Sequence, residues 1–140
     1  MAKSEETIKL ERTIWRATAK QGLFGCFEVT IGWFGRERVD FLTYDTKGVW
    51  RCYEIKISKA DFNSKSRHTF IGHFNYYVMP LELYEQVKDK IPNHIGVYVE
   101  GRSVKKAKRQ ELGADEQVLK DSLIRSLCRD VEKVRVLAWW

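Results

Sequence analysis

A chain of 140 residues with 44% hydrophobic and 13% aromatic side chains is long and apolar enough to bury one hydrophobic core, which excludes a disordered polypeptide. Its 25 Lys and Arg exceed its 19 Asp and Glu, and the net charge of +6 favours polyanionic partners such as nucleic acid or acidic membrane surfaces. Cys26, Cys52 and Cys128 are widely spread, with no CxxC pair and no His at ligand spacing, which argues against a disulfide framework or a structural zinc. The N-terminal stretch is too acidic and polar for a signal peptide, and no apolar run approaches the roughly 20 residues needed to span a bilayer. The composition reads as that of a cytoplasmic protein without membrane association.

From Glu6 to Lys20 there is neither Gly nor Pro, and the run stops against Gln21-Gly22, so a helix is predicted. Steps of 100° put Ile8, Ile14 and Trp15 on its apolar face, with Glu11 between Ile14 and Trp15. Three strand-like segments follow, Phe24–Trp33, Glu37–Tyr44 and Val49–Ser58, rich in β-branched and aromatic residues and separated by Gly35 and by Asp45-Thr46-Lys47-Gly48. They read as an antiparallel meander. Lys59–His68 is polar and basic, with room for only a short helix at Asp61-Phe62-Asn63-Ser64. Phe74–Met79 reads as a fourth strand, Leu81–Lys90 as a helix opened by Pro80, and Ile95–Val99 as a fifth strand.

Gly101–Arg109 reads as a basic connector, and a charged helix is predicted from about Ala114 to Lys133, where Leu119, Leu123, Leu127 and Val131 make one stripe. The apolar tail from Val134 to Trp140 is expected to dock rather than project into solvent. The organisation is therefore a core over residues 1–100, a connector over 101–113, and a helix with its tail over 114–140. This last segment packs on the core or pairs two copies of the chain as a homodimer.

The chemistry concentrates on the second and third strands. Alternation places Trp50, Cys52, Glu54, Lys56 and Ser58 on one face, with Glu54 and Lys56 roughly 7 Å apart. Symmetric pairing about the turn sets Asp40 opposite Glu54, at roughly 5 Å between Cβ atoms. Two facing carboxylates repel unless a cation lies between them, and hard oxygen ligands of this kind suit Mg²⁺ or Mn²⁺. An Asp, a Glu and a Lys around such an ion are the minimum set for phosphodiester hydrolysis. Glu11 would supply or orient another ligand.

The order helix, strand, Asp40 strand, Glu54-Ile55-Lys56 strand resembles the PD-(D/E)XK nuclease superfamily. The longer string from Glu54 through Ser58, Asp61 and Phe62, followed by Tyr76-Tyr77-Val78 before Pro80 and then Ile95-Gly96-Val97-Tyr98, is similar to MmcB-type DNA-repair endonucleases and related phage-encoded proteins. Val39 stands where the family name has Pro. The resemblance implies a restriction-endonuclease-like α/β fold: a central mixed sheet with an N-terminal antiparallel meander in the order α-β-β-β-β-α-β, plus the C-terminal helix. It further implies Asp40, Glu54 and the Ile55 carbonyl as metal ligands, Lys56 beside the attacking water, and Glu11 as the acid of the first helix. The implied activity is Mg²⁺- or Mn²⁺-dependent DNA hydrolysis in repair, recombination or phage replication, in a bacterial or phage-infected cytoplasm.

Ser58, Lys59, Lys65, Arg67, His68, Lys105 and Lys106 are the candidates for DNA contacts, although charge runs are more often solvated faces. His68, His73 and Asn75 raise a competing HNH-type reading, which no zinc-binding cysteines support. The alternative in another class is a nuclease fold without catalysis, serving as a DNA-binding or inhibitory adaptor.

Overall fold

The structure, a computed structural model, describes residues 3–33, 35, 37–64 and 69–139, the last without its side chain. Ser4 caps the first helix, α1 (Glu5–Thr18), by accepting from the Thr7 N–H at 3.2 Å. The chain then runs through β1 (Leu23–Thr30), β2 (Arg38–Asp45), β3 (Trp50–Ile55), a single turn α2 (Lys59–Phe62), β4 (Phe74–Val78) and α3 (Leu81–Val87). It closes with a 3-10 turn (Lys88–Lys90), β5 (Gly96–Val99), β6 (Arg102–Lys105) and α4 (Glu116–Trp139). Six strands form one mixed sheet in sequence order. The β1–β2–β3 and β5–β6 pairs are antiparallel, and β4 lies parallel to both β3 and β5.

Alternation along the strands divides the core into layers. Phe41, Tyr53, Ile55 and Val78 pack against Leu10 and Ile14 of α1 on one face. The opposite face is shared. Trp50, Cys52, Leu42 and Cys26 meet Leu119 and Leu123 of α4, while Tyr77, Val97 and Val99 meet Phe62, Leu83 and Val87 of α2 and α3. Phe70 packs against both of these clusters and bridges them. Cys26 and Cys52 serve as small apolar residues, and burial pushes both thiols up to about 12.

Several elements differ from the sequence reading. On α1 the fully buried residues are Leu10 and Ile14, while Trp15 lies 45% exposed at the rim, its ring about 6 Å from Phe27 and Phe41. The expected connector contains β6, because Glu100 (φ 52°) and Gly101 (φ 80°) turn the chain straight back onto β5. Two consecutive positive φ angles are what a two-residue hairpin of the right twist requires, and only the glycine adopts one freely. The observed order, α-β-β-β-α-β-α-β-β-α, therefore adds a short helix and an edge strand to the predicted one.

The expected docking tail is instead the end of α4. Nothing after Gly113 breaks a helix, so the chain continues helically to Trp139. Leu119 and Leu123 are buried, but the stripe surfaces at Val131, and Val134 and Leu137 are 66% and 88% exposed. Among the described residues no helix is long and apolar enough to cross a membrane.

This division of α4 predicts unequal mutational costs. Leu119→Ala should lose about 2–5 kcal/mol in denaturant unfolding, whereas Ile124→Lys, at a position of the same helix that is 59% exposed, should stay within about 0.5 kcal/mol of the parent.

Candidate active site

The geometry begins at the β2–β3 turn. Asp45 Oδ1 accepts from the N–H groups of Lys47 (2.9 Å) and Val49 (3.1 Å), its Oδ2 accepts from Arg51 Nη1 at 3.0 Å, and Gly48 takes the positive φ of 80°. So tightly bonded a turn leaves the hairpin one register. Phe41 pairs with Tyr53, Leu42 with Cys52, Thr43 with Arg51 and Tyr44 with Trp50. Continued by one residue, that register sets Asp40 opposite Glu54, as symmetric pairing about the turn predicts.

Asp40 reaches across rather than out: its Oδ2 accepts from the Ile55 N–H at 2.8 Å. Glu54 is only 4% exposed, and its Oε1 accepts from the Thr69 N–H at 2.8 Å. Burial first, and then the neighbouring Asp40 carboxylate and a hydrogen bond with it, push the Glu54 pKa up to about 9. In the absence of a cation, burial and the neighbouring carboxylate therefore favour the protonated form of Glu54 at neutral pH, and a divalent ion between the two groups would relieve the same repulsion.

Lys56 follows on the same face, 6% exposed, and its N–H donates to the Val78 carbonyl at 3.0 Å, extending the β3–β4 ladder one bond past Ile55. Its ammonium lies 4.0 Å from Asp61 Oδ1. The other Asp61 oxygen accepts from the Ile57 N–H at 3.1 Å, while the Asp61 N–H donates to Ser58 Oγ at 3.1 Å. Ser58 thus caps α2 through the Asp61 N–H, while the Asp61 carboxylate, held by the Ile57 N–H, comes within reach of Lys56. Burying an ammonium two residues from a carboxyl that is pressed into its neutral form costs desolvation that packing alone would avoid, so the arrangement is not one that stability selects.

Asp40, Glu54 and Lys56 are brought together with the backbone of Ile55; the other candidates are distributed differently. Glu11 is half-buried on α1, the helix that covers the opposite face, and its carboxylate is paired with Lys3, whose ammonium also lies 3.6 Å from Glu28. Among the described residues no third His, Cys, Asp or Glu joins the pair in a metal-sized group, so Glu11 is not placed as a ligand. Ser58 is a helix cap and Lys59 is exposed beside it. Lys105, on the edge strand, donates to the Pro92 carbonyl at 2.8 Å. It shares a row with Glu54 through Tyr77 and Val97, three strands and roughly 14 Å away. Lys106 is exposed next to it. Lys65, Arg67 and His68 lie outside the described residues.

The HNH-type alternative finds His73 and Asn75 in structural roles, while its His68 lies outside the described residues. His73 Nδ1 accepts from the Trp50 N–H at 3.0 Å, and buried Asn75 bonds Gly72 through both its amide oxygen and its amide nitrogen. Both side chains hold the start of β4. Two further residues do touch the site: Asp61, which the Ser-x-x-Asp spacing from Ser58 could have marked as part of a cap, and Thr69, which no local pattern marks.

No family model matches the chain, and no curated protein matches it. A solved protein of unknown function from Silicibacter pomeroyi has a similar fold, with a TM-score of 0.75 and 17% identity over 99% of this chain and 94% of that one. At that identity the likeness shows the fold alone: a mixed α/β unit built on a six-stranded sheet.

The proton on Glu54 has a measurable consequence. Folded Glu54 keeps it up to about 9, whereas an unfolded glutamate releases it near 4.5, so between these limits folding takes up a proton. The stability tied to this group is fully present below about 4.5 and is lost as the pH climbs through about 9. In metal-free buffer, Glu54→Gln should therefore gain stability relative to the parent as the pH rises across that window. A difference that does not change with pH in denaturant titrations would remove the assigned proton.

Proposed function

We propose that this chain is a metal-dependent DNA nuclease of the PD-(D/E)XK kind, built on a restriction-endonuclease-like version of its α/β sheet. The observation that carries the reading is the meeting of Asp40 and Glu54 on neighbouring strands, with Lys56 on the same face two residues on. The succession of α1, the β1–β2–β3 meander, α2 and a parallel β4 supports it. So does the positive charge, with Lys59, Lys106, Lys108 and Arg109 exposed.

The residues present fit Mg²⁺ or Mn²⁺. Each carboxylate has one oxygen held by a backbone N–H and a second oxygen outside that bond, and such ions are commonly bound by one or two carboxylates together with waters and substrate phosphates. Asp40, Glu54 and the Ile55 carbonyl would hold the ion, which when bound polarises a phosphate and lowers the pKa of a coordinated water. Asp40 is oriented for this by the Ile55 N–H, and Glu54 by that of Thr69. Glu54 gives up its proton on binding, so affinity for the ion rises with pH. Lys56, steadied by Asp61, places a positive charge where negative charge develops on the phosphate.

The burial of Glu54 beneath Thr69 favours a second reading in which the fold binds DNA, or inhibits a partner, without cutting. A nicking assay on plasmid, single-stranded and branched DNA separates the two. With Mg²⁺ or Mn²⁺ the parent should cleave, chelator should stop it, and Asp40→Ala and Lys56→Ala should each lose at least about 100-fold. Undiminished cleavage by both variants refutes the site, and retention of DNA without cleavage under every metal selects the adaptor.

The exposed end of α4 favours self-association of the same protein. Arg129, Glu132, Lys133, Val136 and Leu137 line a concavity there, and an antiparallel pairing of two α4 ends would set Glu132 of each copy beside Lys133 of the other. Solution mass of the parent should then be that of a dimer, and Leu137→Lys should give a monomer. A monomeric parent ends this reading.

A further inference from the structure

Thr43 and Thr69 both bury a hydroxyl that is unsatisfied among the described residues, and Thr69 is the one of the two whose amide is bonded to the carboxylate pair. Its residue is 3% exposed, its N–H is spent on Glu54 Oε1, and its hydroxyl has no hydrogen-bond partner among the described residues. A buried hydroxyl without a partner costs roughly 1–3 kcal/mol relative to a satisfied one, so a valine of the same shape would be the more stable choice. The residue that follows it is anchored by packing. Phe70, the next residue, packs edge-on against Tyr77 at 5.1 Å and bridges the two clusters on that face, and Tyr77 is itself the β4 neighbour of Glu54. The packing of Phe70 thus fixes the position of the residue whose amide is bonded to Glu54 and whose hydroxyl is buried beside that bond.

We propose that Thr69 is a fourth side chain of the centre: its amide positions Glu54, and its hydroxyl donates a hydrogen bond to an oxygen of the bound state, a water on the metal ion or a phosphate oxygen. This rests on the metal-dependent reading above and adds a residue that reading does not need. The unsatisfied hydroxyl of the metal-free protein becomes satisfied when the centre is loaded. Thr69 therefore trades stability of the empty protein for affinity in the filled one.

The test compares Thr69→Val, which keeps the amide and the shape but removes the hydroxyl, with Thr69→Ser, which keeps both polar groups. In metal-free buffer Thr69→Val should melt at or above the parent temperature. Calorimetric titration with Mn²⁺ should then show about 3- to 10-fold weaker binding for Thr69→Val and near-parent binding for Thr69→Ser. If the loss appears only when a short DNA duplex is titrated into the metal-loaded proteins, the acceptor is a phosphate oxygen rather than a water. Parent-like Mn²⁺ and DNA affinities in Thr69→Val, with a parent that binds both, would overturn the role of Thr69 and leave the nuclease reading standing. A parent that binds neither would overturn both.

Discussion

The close approach of two carboxylates inside a sheet is the constraint around which the rest of this fold is arranged. Asp40 and Glu54 can face each other only because the Asp45 turn permits one hairpin register, and a slip of one residue would send one of them to the opposite layer. Once paired, they need neutralisation and hydrogen bonds. The Ile55 and Thr69 amides supply the bonds, and the raised pKa of Glu54 lowers the charge of the pair while no cation is present.

The surrounding core explains how so unfavourable a cluster is tolerated. Glu54 lies at the seam between two apolar clusters on one face, with α4 packed on one side and α2 and α3 on the other. The opposite face under α1 is filled by stacked aromatics, with Phe27 against Phe41 at 4.3 Å and Tyr53 against Tyr76 at 4.9 Å. Polar residues at the seam thus cost stability locally while uninterrupted packing elsewhere holds the strands that carry them.

Much of this was legible in the residues because it depends on local patterns. The meander, the hairpin register and the shared face of Glu54 and Lys56 follow from period-two alternation and one turn of four residues. The failures share a cause as well. Glu100 at a positive φ carries no sequence mark, so β6 passed for a connector; the end of α4 is apolar yet packs on nothing described within the chain, so its helical continuation passed for a docking tail. Glu11 has the right helical angle, but pairing with Lys3, eight residues earlier, directs its carboxylate elsewhere. Thr69 meets Glu54 across 15 residues of sequence, a distance over which no periodic pattern operates.

The two margins of the sheet are closed off by different means. Along β1, guanidinium groups of α4 take up backbone oxygens: Arg125 donates to Thr30 and Gly32, and Arg129 to Phe27 and Glu28. Along β6 the strand is short and bears Arg102 and Lys105, with Lys106 and Lys108 just beyond, so a second molecule approaching edge to edge meets like charge. Strand-by-strand growth into fibres is thereby discouraged at both ends.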